Sequence, residues 1–154
     1  MNEAIDIEAV AAVDGAIVEG MQRLVPQLSA SAAVPNVGHV REIVESSCTT
    51  LLVARDPAQG GQIVGSLTLA VFRIPTGVRA WIEDVVVDAT ARGKGVGEAL
   101  NREALRIAAS RGARTVELTS RPSREAANRL YERLGFQRRE TNVYRRALDD
   151  QNRG

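Results

Sequence analysis

Residues 81–105, WIEDVVVDATARGKGVGEALNREAL, predict three elements in a row: an apolar strand, a short turn carrying Arg92-Gly93-Lys94-Gly95-Val96-Gly97, and a helix. A strand feeding a glycine-rich turn at a helix start commits this part of the chain to an α/β arrangement. It also leaves the first N–H groups of the helix without intrahelical partners, aimed outward at the helix's positive end. That corner suits a phosphate-bearing ligand, and the glycines let it approach the backbone closely.

Spacing narrows the ligand. The dinucleotide fingerprint G-x-G-x-x-G fails in both registers, since Glu98 or Leu100 falls where the last glycine belongs. The nucleoside-triphosphate loop fails as well: Gly95 follows Lys94 in place of Ser or Thr, and Asp88 stands at the first glycine position. What the run does satisfy is R-x-x-G-x-G, through Arg92, Gly95 and Gly97. Downstream, Ala127, Leu130, Tyr131, Gly135 and Phe136 satisfy A-x-x-L-Y-x-x-x-G-F, in the right order and separated from the first motif by a helix and a strand. Together the two motifs resemble the GNAT superfamily of N-acetyltransferases, whose ligand is acetyl-coenzyme A. The resemblance spans roughly residues 62–148, and the amino-terminal third matches in general layout. One departure stands out. Seven residues before the tyrosine the family often has an asparagine that contacts the pantetheine arm, and this chain has Arg124, which can reach a phosphate bidentately. Asn128 joins Arg124 among the expected cofactor-binding residues.

At 154 residues the chain reads as one domain, 1–154, long enough to bury an ordinary core. Apolar residues at 44% and charged residues at 25% are ordinary for a globular protein. No apolar stretch approaches a membrane span, and Glu3, Asp6 and Glu8 argue against a signal peptide, so the expected location is cytoplasmic. Cys48 is the only cysteine and reads as a small buried side chain; His39 is also alone and reads as structural or solvent-facing. No metal site is expected. A net charge of +1 disfavours nucleic acid as a partner. The charge is uneven, with three Lys/Arg against eight Asp/Glu in residues 1–60 and seventeen against eleven beyond. That sign fits a polyanionic cofactor held by the second half and a cationic amine met by the first. The expected partner is a small-molecule amine, and a homodimer is left open.

The apolar spacing predicts an edge strand near residues 4–7, a helix from Val13 capped by Asp14 and ended or kinked by Pro26, and a shorter helix through Val37, Val40, Ile43 and Val44. Strands follow at Thr49–Arg55, Gln62–Phe72 and Val78–Val87, with Ile63, Gly65, Leu67, Leu69 and Val71 on one face. Next come the helix after the glycine run, ended by Gly112, a strand at Arg114–Thr119, a helix at Ser123–Leu134, and strands at Phe136–Arg139 and Asn142–Leu148. The order β-α-α-β-β-β-α-β-α-β-β is a mixed α/β class, a mostly antiparallel sheet with helices on both faces. The resemblance implies the same order.

Moving an acetyl group from a thioester to an amine needs a held cofactor, a neutral amine, a stabilised oxyanion and a proton for the leaving thiolate. Arg92, Gly93, Lys94, Gly95, Val96 and Gly97 would hold the pyrophosphate. The resemblance implies that the strand end splays and frees backbone groups of Val85, Val86 and Val87 to pair with the pantetheine arm, one N–H polarising the thioester carbonyl. It also places Tyr131 at the general-acid position, although the apolar face formed by Ala127, Leu130, Tyr131 and Leu134 equally suits packing. Glu83 stands where related enzymes carry a carboxylate that meets the amine, with Asp84 and Glu117 as alternatives. How much base is needed depends on the acceptor. A lysine-like amine costs about 4.6 kcal/mol to neutralise at pH 7, against about 1 kcal/mol for an α-amine. The implied activity is acetyl transfer to a primary amine, most simply of a small molecule, by direct attack in a ternary complex. A protein amino group as acceptor and a non-catalytic acyl-coenzyme A binding module are the alternatives.

Overall fold

A computed structural model describes residues 4–148, in two compact units, residues up to 120 and residues from 121 on. The first unit is built on one sheet ordered β1-β2-β3-β4-β5, from β1 (Asp6–Ala9), β2 (Thr49–Asp56), β3 (Gln62–Ile74), β4 (Gly77–Val87) and β5 (Val116–Glu117). All neighbours are antiparallel except β4 and β5. The expected class, a mixed α/β fold with a mostly antiparallel sheet, is the one observed.

Two helices cover one face. In α1 (Gly15–Leu28) the Asp14 carboxylate accepts from the Ile17 N–H at 3.0 Å, the cap that the sequence suggests. Pro26 does not stop this helix, which runs two residues further; so near the carboxyl end, the missing proline donor forfeits a single bond. In α2 (Val37–Glu45) Asn36 and His39 cap each other reciprocally, which gives the lone histidine its structural role. Ile17, Met21, Leu24 and Val40 pack with Leu51, Val53, Ile63 and Val86 of the sheet. The longest helix, α3 (Val96–Ser110), lies on the opposite face, where Gly65 meets Val96 and Leu100.

Two bulges correct the simple alternation. Ala54 pairs with Gly65 but Arg55 with Ile63, so Val64 is an extra residue and Ile63 turns to the α1 face, away from Gly65, Leu67 and Leu69. On β4, Val86 pairs with Ser66 and Glu83 with Thr68, so Asp84 and Val85 together oppose Leu67. Glu83 therefore shares its face with Val86, whereas unbroken alternation would pair it with Val85 and Val87.

Other expectations also shift. Cys48 is exposed, because it lies in the turn entering β2 rather than within the strand. The strand expected at Arg114–Thr119 shortens to Val116–Glu117. The second unit holds α4 (Glu125–Arg133), followed by Gly135 at φ +91°, but 136–148 form no strand. That segment is rich in charge, and its large apolar residues Val143, Tyr144 and Leu148 are 75%, 88% and 88% exposed. Its residues pair with no strand of the sheet, and strand propensity alone does not make a strand.

Candidate functional site

The corner between β4 and α3 is fastened before the glycines begin. The Asp88 N–H donates to the Val64 carbonyl at 2.8 Å, and its buried carboxylate accepts from the N–H and hydroxyl of Thr90, both at 3.0 Å. From α1, Gln27 accepts from the Ala89 N–H at 3.0 Å, and the Arg23 guanidinium lies 3.5 Å from the Asp88 carboxylate while donating to the Ile63 carbonyl. The Thr90 N–H, and less strongly the Arg23 charge, hold the Asp88 carboxyl below its ordinary value despite burial.

Beyond this anchor the backbone turns through Gly93 at φ +79° and Gly95 at φ +78°, a left-handed conformation that glycine adopts without strain. A Cβ at either position would meet nothing within 4 Å, so the loop is open to an approaching group. The first intrahelical bond of α3 runs from the Ala99 N–H to the Gly95 carbonyl, at 3.0 Å. Among the described residues, the N–H groups of Val96, Gly97 and Glu98 have no acceptor. This donor set fits a pyrophosphate.

The two loop cations differ. Lys94 donates from Nζ to a carboxylate oxygen of Asp56 at 3.0 Å, and the Asp56 side chain is 3% exposed. Asp56 also accepts from the Ala58 N–H at 3.0 Å and from Gln59 at 3.1 Å. The bond from Lys94, backed by those donors, holds the Asp56 carboxyl below its ordinary value against burial. Lys94 thus ties the loop to the end of β2, its charge largely met by the protein. Arg92 is exposed and has no carboxylate partner among the described residues. Asp56 lies 38 positions from Lys94. As a residue that shapes the loop it carries no signal in the sequence.

Along β4 the ladder alternates. Because Asp88 and Val64 form a hydrogen-bonded pair, Val86 two residues earlier faces β3 with its N–H and C=O. The backbone groups of Val87 therefore face the other edge, where β5 is registered only against Ala80 and Trp81, while Val85 lies in the bulge, outside the regular ladder. Glu83 and Asp84 are both exposed, and neither carboxylate has a hydrogen-bond or ion-pair partner among the described residues. Asp84 is the only described non-glycine residue with positive φ, at +51°. It lines a cavity between the sheet and the α1–α2 region; Glu83 does not. Glu117 pairs with Trp81 in β5.

In the second unit, Tyr131 is 7% exposed and packs edge-on against Phe136, with ring centroids 5.8 Å apart and an interplanar angle of 71°. Burial raises its phenol above the ordinary value, and the Arg124 charge opposes that rise. The phenol is therefore protonated at neutral pH, as a proton donor must be. Arg124 is exposed at the start of α4 with no capping bond, and the Asn128 side chain donates to the Arg121 carbonyl at 3.1 Å.

A strand-to-helix corner with acceptor-free N–H groups, set on a mixed and mostly antiparallel sheet, is compatible with an acyltransferase, and the family match gives that class. The chain belongs to the acetyltransferase (GNAT) family, whose model matches residues 26–136. It is 42% identical over 83 residues to glucosamine 6-phosphate N-acetyltransferase of Trypanosoma brucei brucei, a match covering 52% of this chain and 54% of that protein. The chain spans about half or less of the length of the curated relatives it matches. Among solved structures it is similar to a transcriptional regulator from Bacillus halodurans C-125, with TM-score 0.76, 28% identity, and coverage of 93% of this chain and 99% of that one. An aminoglycoside acetyltransferase from an uncultured soil metagenomic sample shares the fold, with TM-score 0.81, 20% identity, and coverage of 95% and 97%.

Proposed function

We propose that this enzyme transfers an acetyl group from acetyl-coenzyme A to the primary amine of a small molecule, by direct attack while both are bound. The observation that carries the reading is the set of acceptor-free N–H groups at Val96, Gly97 and Glu98 behind two left-handed glycines, in a chain of a family that uses acetyl-coenzyme A. A small-molecule acceptor is supported by the relatives named for glucosamine 6-phosphate and aminoglycosides.

In this reading the loop from Arg92 to Gly97 receives the pyrophosphate, with Arg92 supplying the free cation and Lys94 fixing the loop through Asp56. The outward backbone groups of Val87 and those of Val85, freed from the regular ladder by the bulge, pair with the pantetheine arm, Val86 keeps the strand on β3, and Arg124 and Asn128 add side-chain contacts to the cofactor. Bound acetyl-coenzyme A supplies the acetyl group as an activated thioester. A β4 N–H stabilises the developing oxyanion, and Tyr131 gives its phenolic proton to the departing sulfur. The carboxylate on the amine side comes from β4, where Glu83 and Asp84 stand together. Calorimetry with acetyl-coenzyme A tests the reading: the parent protein binds, and a folded Gly95→Asp variant, with a negative side chain at the pyrophosphate position, does not. Unchanged affinity in that variant refutes it.

A further inference from the structure

The cavity lined by Asp84 has a volume of about 220 Å³ and lies wholly in the first unit. Its walls are Met21, Val25 and Leu28 of α1 and Val40 and Ile43 of α2, and Val86 forms part of its floor. Among the described residues, the polar side chains in the lining are those of Thr68 and Asp84, with no lysine or arginine. A cavity of roughly 150 Å³ accommodates benzene, so this one admits a phenyl ring with a short arm.

The backbone has a reason to deliver Asp84 there. The bulge opposite Leu67 places Asp84 at φ +51°, a conformation that aspartate and asparagine tolerate better than other side chains. Its carboxylate is exposed and unpartnered among the described residues. An apolar chamber with one free carboxylate and no cation complements an ammonium on an apolar body. It is a poor match for a phosphorylated or many-hydroxyl amine, whose polar groups would be buried without partners.

Resting on the acetyl-transfer reading, we infer that the acceptor is a primary amine on a compact apolar body, with the body in this cavity and the ammonium on Asp84. Asp84, rather than Glu83, is then the carboxylate that meets the amine. The amine nitrogen bonds to the acetyl carbon as the carbon–sulfur bond breaks. Overall the ammonium and the thioester give the amide, the free thiol and one proton, and Asp84 is the first acceptor of that proton on its way to water.

The test measures thiol release from acetyl-coenzyme A with 2-phenylethylamine, ethylamine, glucosamine 6-phosphate and an aminoglycoside, alongside calorimetry of acetyl-coenzyme A binding. The expected result is a kcat/KM for 2-phenylethylamine at least tenfold above the other three. Asp84→Asn, which keeps the backbone conformation and removes the charge, lowers that value at least tenfold, through KM because the ammonium loses its partner and through kcat because the proton loses its first acceptor, with acetyl-coenzyme A affinity unchanged. Ala33→Trp, a substitution on the exposed rim of the cavity, raises KM for 2-phenylethylamine at least fivefold and for ethylamine less. Preference for glucosamine 6-phosphate or the aminoglycoside, or a larger loss in Glu83→Gln than in Asp84→Asn, overturns the inference and leaves the acetyl-transfer reading standing. So does a preference for octanoyl- over acetyl-coenzyme A that Ala33→Trp abolishes, because the cavity would then hold the donor's chain. Absence of acetyl-coenzyme A binding overturns both.

Discussion

Gly65 holds α3 against the sheet, and replacing it with alanine tests whether the cofactor loop depends on that close approach. A Cβ at this position would lie 2.7 Å from Val96 Cγ1, 3.1 Å from Leu100 Cδ1 and 3.2 Å from the Val86 carbonyl oxygen. Carbon–carbon contacts are optimal at about 3.5–4.0 Å, so the nearest overlap is about 1 Å. None of the three neighbours gives way easily: Val96 is 1% exposed, Leu100 is fully buried, and the oxygen belongs to a paired strand. Overpacking of this kind costs about 1–3 kcal/mol, offset by about 0.4–1 kcal/mol from stiffening the unfolded chain. A net loss of about 1–2 kcal/mol lowers Tm by roughly 2–8 °C in a chain of this size. Val96 is also the first residue of α3, so the same strain displaces the free N–H groups and weakens acetyl-coenzyme A binding. Val96→Ala deletes the clashing methyl. The double variant should therefore be more stable than the sum of the single losses predicts, by about 1 kcal/mol, and should recover affinity. Thermal and urea unfolding with calorimetry on the four proteins decide it. A Gly65→Ala protein that melts with the parent, or strictly additive losses, refutes the reasoning.

Asp56 has a folded-state pKa below its ordinary value of 3.8, so the unfolded chain takes up the proton first. The stability this group contributes is fully present above the ordinary value and is lost as pH falls through the folded one. Asp56→Asn should flatten the acid limb of Tm below the carboxyl's ordinary value of 3.8 and raise Kd for acetyl-coenzyme A by freeing the loop; an unaltered acid limb would contradict the Lys94 tie. Tyr131→Phe should lower kcat about 10²-fold with acetyl-coenzyme A affinity kept, and an unchanged kcat would return Tyr131 to packing alone. Since burial raises the phenol, no Tyr131-dependent fall in kcat should occur below pH 10.0.

How far the chain could be read from its sequence follows the range of the interactions involved. The glycine corner was legible because its requirement is local: only glycine enters φ near +80° without strain at both Gly93 and Gly95, and a helix start necessarily leaves its first donors free. The Asp14 cap is local in the same sense. The Asp56–Lys94 tie was not legible, because no spacing rule connects a turn aspartate with a loop lysine 38 positions on. The strands expected beyond Phe136 failed for a related reason, since a strand exists only with a partner and the charged segment carries no buried face to find one. The bulge on β4 is the most consequential miss. Alternation assumes a constant period of two, and one extra residue at Asp84-Val85 reverses every face beyond it. Unbroken alternation would set Glu83 on one face with Val85 and Val87, while the irregularity carries Asp84, at φ +51°, into the cavity lining. If the acceptor sits as inferred above, its preference rests on a backbone irregularity that a non-glycine residue conceals, and Asp84→Asn, which leaves that irregularity in place, separates the charge from the geometry.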